Sequence, residues 1–162
     1  MSQDTTEVTR VLNLYIDGAG NGNADQMNEA FHSSARWFGT VDGADYDLDK
    51  EGFVTYMVGT PGKPASAKIV DIQIAGTAAT ATVQEEGFWG TLSFTDYFQL
   101  AKLDGRWQIT CKTFAQTGGT HAYSRAVIPN ALLRSKELPK VCDAQLTAVP
   151  AGTSGNELWS MD

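Results

Sequence analysis

The chain has 162 residues, 42% of them hydrophobic and 19% charged. That is enough for one domain with its own core, and too apolar for a disordered chain. Twelve lysines and arginines against 19 acids leave a net charge of −7 without any basic run, so nucleic acid and anionic membrane surfaces are poor partners.

Two cysteines, Cys111 and Cys142, are too few for a disulfide framework and read as free thiols of a reducing compartment. The first residues carry no basic, apolar leader, and no apolar run reaches the ~20 residues of a membrane span. A soluble, cytoplasmic protein is expected.

Val8, Val11, Leu12, Tyr15, Ile16 and Ala19 recur at helical spacing, which predicts an amphipathic helix over 5–20. Asp4 with Glu7 resembles a capping box. Asn23 opens a second, short helix with Met27, Ala30 and Phe31 on its buried face. A strand over 35–41 follows, and Asp47 is placed to cap a third helix running to Val58, with Phe53, Tyr56 and Met57 inward. Beyond residue 65 the period changes to two: Val70, Ile72 and Ile74, then Ala79, Ala81 and Val83, then Leu92, Phe94, Phe98 and Leu100. Asp104-Gly105 is a hairpin turn, and Trp107, Ile109 and Cys111 start the last strand. Helices followed by long meandering strands predict an α+β cone: three N-terminal helices on a curved antiparallel sheet that encloses a pocket. The expected division is a cone domain over 1–119 and a C-terminal extension over 120–162. The apolar residues of that extension should order it against the pocket mouth or a partner subunit.

Asp96 stands in the apolar alternation Leu92, Phe94, Asp96, Phe98, Leu100. A carboxylate there is desolvated and its pKa rises, unless a bulge turns it outward or a cation satisfies it. Tyr15, on the buried stripe of the first helix, needs a partner for its hydroxyl. Lys112 alternates out of phase with Trp107, Ile109 and Cys111, so both faces of that strand carry apolar groups. This suggests that one face meets the pocket and the other a partner subunit. Lys112 either pairs with Asp96, removing its role as a proton donor, or sits on the outer face. Trp37, Tyr56, Trp89, Phe94, Phe114 and His121 are the candidate ligand-contacting residues. Glu85 continues the inward parity of Ala81 and Val83, and His32 ends the second helix. Two histidines 89 positions apart with no Cys/His cluster give no metal site, and no phosphate-binding glycine loop or nucleophilic serine elbow is present.

The order helix, helix, strand, helix, meander, together with Phe94-Thr95-Asp96-Tyr97-Phe98, Gly105-Arg106-Trp107 and Lys112-Thr113-Phe114, resembles the nuclear transport factor 2-like (NTF2-like) superfamily. Within it the likeness is to the lumazine-binding, SnoaL-like branch. The resemblance implies a cone with a pocket, while the activity varies among isomerases, dehydratases, cyclases, epoxide hydrolases and plain binding proteins; no cofactor is expected, and the two-faced apolar strands predict a homodimer packed through the convex sheet face. By similarity to ketosteroid isomerase, a case in which a tyrosine and a neutral aspartic acid form the oxyanion hole, those two roles fall on Tyr15 and Asp96. The general-base position falls on Gly39, leaving Glu85, His32, Asp42 or Asp45 as candidate bases. The expected function is isomerisation, dehydration or cyclisation of a polyketide- or terpenoid-like carbonyl compound. The alternative is a non-catalytic binder of a small aromatic or pterin-like ligand.

Overall fold

Three helices, α1 (Gln3–Asn21), α2 (Ala24–Ala30) and α3 (Lys50–Gly59), and six strands form the fold. The strands are β1 (Phe31–Val41), β2 (Ala44–Asp49), β3 (Ser66–Ala75), β4 (Ala78–Phe88), β5 (Leu92–Leu103) and β6 (Arg106–Gly118). The computed structural model describes residues 2–120. The expectations for the extension, including His121 and Cys142, lie outside the described residues. One sheet runs in the order β2-β1-β6-β5-β4-β3. It is not closed, and the helices pack on one face to give the α+β cone. The sheet is antiparallel except where β1 runs parallel to β6, so it is mixed. No described helix is long and apolar enough to cross a membrane.

Helix α1 buries Val8, Val11, Leu12, Tyr15 and Ala19, the stripe that its spacing predicts. Its cap is Ser2, whose side chain accepts from the Thr5 amide. Asp4 is not the cap because its carboxylate is engaged elsewhere, receiving Lys102 Nζ at 2.7 Å and Trp107 Nε1 at 2.9 Å. Helix α2 ends at Ala30, and Phe31 is already extended, so β1 starts four residues before the expected 35. The third helix begins after Asp49, which accepts from the Gly52 amide, rather than at Asp47. Residues 44–49 instead form β2, joined to β1 by Asp42-Gly43. Both residues have positive φ, 48° and 77°, as a tight hairpin turn requires. The Asp-Gly pair is the same turn signal as Asp104-Gly105.

Bulges decide which side chains face inward. In β6 the register slips between Gln99↔Cys111 and Leu100↔Ile109, so Thr110 is the extra residue and the inward phase reverses across it. Trp107 and Ile109 face the core on one side of the bulge, and Lys112 is buried on the other. Cys111, expected with Ile109, is turned away. The bulge accounts for the two-faced pattern of this strand without any subunit interface. A second slip between Ile69 and Asp71 leaves Val70 exposed while Ile72 and Ile74 pack on the core. A third, between Glu85 and Phe88, is made by Gly87 at φ 72°. There a Cβ would sit 2.8 Å from that of Ala65.

Candidate functional site

The registers set the inner face of the sheet in cross-strand rows. Trp37, Lys112, Phe98 and Ala81 face one another across β1, β6, β5 and β4. The next row is Gly39, Phe114, Asp96 and Val83, and Phe94 pairs with Glu85 beyond it. Tyr15 reaches this face from α1. Three charged side chains, Glu85, Asp96 and Lys112, are therefore buried in the cone at 2%, 0% and 6% exposure.

Asp96, Tyr15 and Lys112 form one network. The Tyr15 hydroxyl donates to Asp96 Oδ2 at 2.8 Å. Lys112 Nζ lies 2.5 Å from the Tyr15 oxygen, to which it donates, and 2.7 Å from Asp96 Oδ2. Aromatic rings surround the ammonium, with Tyr15 at 4.7 Å and Phe114 at 5.1 Å, a placement favourable for a cation. The condition for a neutral Asp96 was the absence of a contacting cation, and Lys112 removes it. The Tyr15–Asp96 pair is also engaged with itself, because the tyrosine hydroxyl donates its hydrogen bond to the aspartate. Burial, and then the charge of Asp96, push the Tyr15 pKa well above its ordinary value, which keeps the hydroxyl protonated.

The carboxyl that is driven neutral is Glu85. Burial first and the charge of Asp96 second push its pKa up to about 8, against an opposing pull from Lys112. One cation serves two carboxyls, and it lies on Asp96 at 2.7 Å. Glu85 Oε1 and Asp96 Oδ1 have no hydrogen-bond partner. The other base candidates are not brought here. His32 Nδ1 accepts from the Ser34 amide, Asp45 takes the Thr40 hydroxyl, and the Asp42 amide is bound by Gln116.

An apolar pocket of about 50 Å³ lies next to the network. Trp37, Tyr56, Trp89, Phe94 and Phe114, all expected to contact ligand, line it together. Tyr46, Leu48, Phe53 and Phe88 complete much of the wall. Phe53 has the helical spacing of a core residue, and Tyr46 and Leu48 reach the wall because residues 44–49 form β2. The network does not border the cavity; the rings of Phe53 and Phe114 stand between. Burial pushes Tyr56 up and Tyr46 to about 12, so the wall carries no charge at neutral pH.

Gly39, the position of the base in ketosteroid isomerase by resemblance, is closed by Phe114. A Cβ at 39 would lie 2.5 Å from the Phe114 carbonyl oxygen and 2.6 Å from its ring. Gly39→Asp is therefore expected to destabilise by roughly 1–3 kcal/mol through overpacking and to supply no base. Chemical denaturation would check this, and an unchanged midpoint would count against the close packing.

The family model described as "Putative lumazine-binding" matches residues 3–115. An aldolase from Cladobotryum sp, FrzH, is 26% identical over 125 residues, spanning 76% of this chain and 95% of that protein. A solved NTF2-like protein from Methylobacillus flagellatus KT is 35% identical with a TM-score of 0.64, over 72% of this chain and 94% of that one. Another, from Shewanella baltica OS155, is 31% identical with a TM-score of 0.64, over 70% and 94%. The shared fold and the family match agree, and this chain belongs to the NTF2-like superfamily, in the family described as "Putative lumazine-binding".

Proposed function

We propose that this protein is a cofactor-free acid–base enzyme of the isomerase, lyase or cyclase kind, acting on a small carbonyl compound held in the cone. The observation that carries the reading is a buried Lys112–Asp96–Tyr15 network beside a second carboxyl, Glu85, poised at about 8. A group that binds and releases a proton near neutral pH is what proton transfer at a carbon next to a carbonyl needs. The ammonium has three donors, of which Tyr15 and Asp96 take two; the third serves a carbonyl oxygen once the Phe53 and Phe114 rings, which stand between the network and the cavity, swing aside to admit it. In the step, ionised Glu85 takes the α-proton. The C–H electron pair becomes the new C=C bond, and the charge developing on oxygen is met by Lys112. Return of the proton, or attack of the enolate carbon on a second carbonyl, completes isomerisation or aldol-type ring closure. The similarity to an aldolase supports carbon–carbon chemistry within this class.

The second reading, a binding protein without turnover, is favoured by the uncharged aromatic wall and the rings that separate it from the network. Deuterium exchange into the methyl group of acetophenone in heavy water distinguishes the two. The enzyme reading expects exchange above the buffer rate, rising through pH 8, and a loss of about 10²–10⁴-fold in Glu85→Gln. Binding of acetophenone without exchange above buffer would leave the second reading standing alone.

A further inference from the structure

We propose that residues 123–133 of this chain lie across the mouth of the cone pocket and form its outer wall. Four of the rings that line the pocket, Tyr46, Tyr56, Trp89 and Phe114, are only partly buried. Partly exposed rings grouped around one cavity are the kind of apolar patch that another segment covers. The chain leaves the sheet beside them. Gly119 has φ 76° and is pressed on the turn between β4 and β5, where a Cβ would sit 1.9 Å from the Thr91 carbonyl oxygen. The Thr91 hydroxyl donates to the Thr120 carbonyl at 2.7 Å. On the other side, Gln116 Nε2 donates to the Gly119 carbonyl at 2.9 Å and to Asp42 Oδ1 at 3.0 Å. The exit is thus anchored between the turn that carries Trp89 and the β1–β2 hairpin that carries Val41 and Tyr46, and both elements line the pocket.

The residues that follow suit this surface. Tyr123, Val127, Ile128, Leu132 and Leu133 fall within eleven positions. Tyr123 is three residues beyond Thr120, about 11 Å at full extension, so the apolar stretch starts close to the mouth. Its charge is also complementary. Residues 121–136 carry Arg125, Arg134 and Lys136 and no acid, whereas residues 1–120 carry 15 acids against eight lysines and arginines. The hairpin beside the exit presents Asp42, Asp45 and Asp47 at the surface, with Arg36 paired to Asp47. The outer sheet face also shows an aromatic ring, Tyr97 at 54% exposure, but the sheet separates it from the mouth. The covering is independent of any turnover in the pocket.

In the full chain, a benzoylphenylalanine placed at position 46 is illuminated and its cross-links are mapped. They are expected within residues 123–133 of the same chain, which a mixture of isotopically light and heavy chains identifies. The same probe at position 97, on the outer face, should reach none of these residues. Cross-links from position 46 confined to residues 2–120, cross-links between chains, or cross-links to 123–133 from position 97 would each overturn the proposal. They would leave the mouth uncovered, assign it to a second copy, or move the segment to the outer face. A second measurement needs no altered wall. Trypsin should cut the unmodified protein after Arg125 and Arg134 about tenfold or more slowly than it cuts Ile128→Asp/Leu132→Asp, whose new charges oppose burial on an apolar mouth. Equal rates would overturn the proposal even if the photoreactive variants fail to fold. Exchange catalysed by Glu85 together with equal tryptic rates would sink this inference and leave the enzyme reading intact, and slow cleavage without exchange would do the reverse.

Discussion

Asp96→Leu is expected to destabilise the protein by about 3–5 kcal/mol. Leucine matches the volume and apolarity of Val83 and Phe98 around it, so an unpaired aspartate would be improved by the change. Asp96, however, holds Lys112 at 2.7 Å with the two side chains 0% and 7% exposed. Removing the carboxylate strands an ammonium in a site that water does not reach, and it also takes the acceptor from the Tyr15 hydroxyl. The double variant Asp96→Leu/Lys112→Met removes both charges and should recover most of the loss. Denaturant unfolding of the two single variants and the double variant gives the coupling. A single Asp96→Leu variant as stable as wild type would mean that the ion pair does not exist in solution.

The second large effect is the pH dependence that Glu85 imposes. Its folded pKa of about 8 lies above the ordinary 4.5, so the folded state binds more protons than the unfolded state between those values. Stability therefore falls as pH rises through that window. The protonated form below pH 4.5 carries no penalty, and the slope ends above pH 8. A full shift of this kind is worth on the order of 5 kcal/mol. Glu85→Gln keeps the shape and removes the titration. Relative to wild type it should gain stability steadily from pH 5 to 8 and hold a constant advantage above. Taking the difference between the two proteins cancels other titrations, such as that of Asp4, which Lys102 holds below its ordinary value. Parallel stability profiles for wild type and Glu85→Gln would show that Glu85 is solvated and ordinary.

The local code was legible wherever one periodicity ran without interruption. The stripe of α1 placed Tyr15 inside because helical spacing leaves no second solution for Val8, Val11, Leu12 and Ala19. The alternation of β5 put Asp96 inside by the same reasoning, since a period of two assigns a face to every residue. The Asp104-Gly105 turn was read from its dipeptide, and Asp42-Gly43 offered the same signal for β2. What composition could not give was phase across a bulge. Thr110 is one residue of unremarkable type, yet the slip it absorbs turns Cys111 out and Lys112 in. Bulges answer to the pairing of β5 with β6 and not to any local preference.

The sequence by itself therefore determined the class of fold, five of the eight aromatic residues of the wall, and the two side chains, Tyr15 and Asp96, whose burial demanded partners. Only the tertiary structure decided the partners. It set Lys112 on Asp96 and left Glu85, two positions before the glycine of a bulge, as the carboxyl that burial pushes towards its neutral form. It also packed Phe114 over Gly39, closing the position that family resemblance reserves for a base. Each of these outcomes depends on distances between strands remote in the chain. The charge state of a buried group follows from its nearest charges and their desolvation, and neighbours across a sheet are set by register rather than by order along the chain.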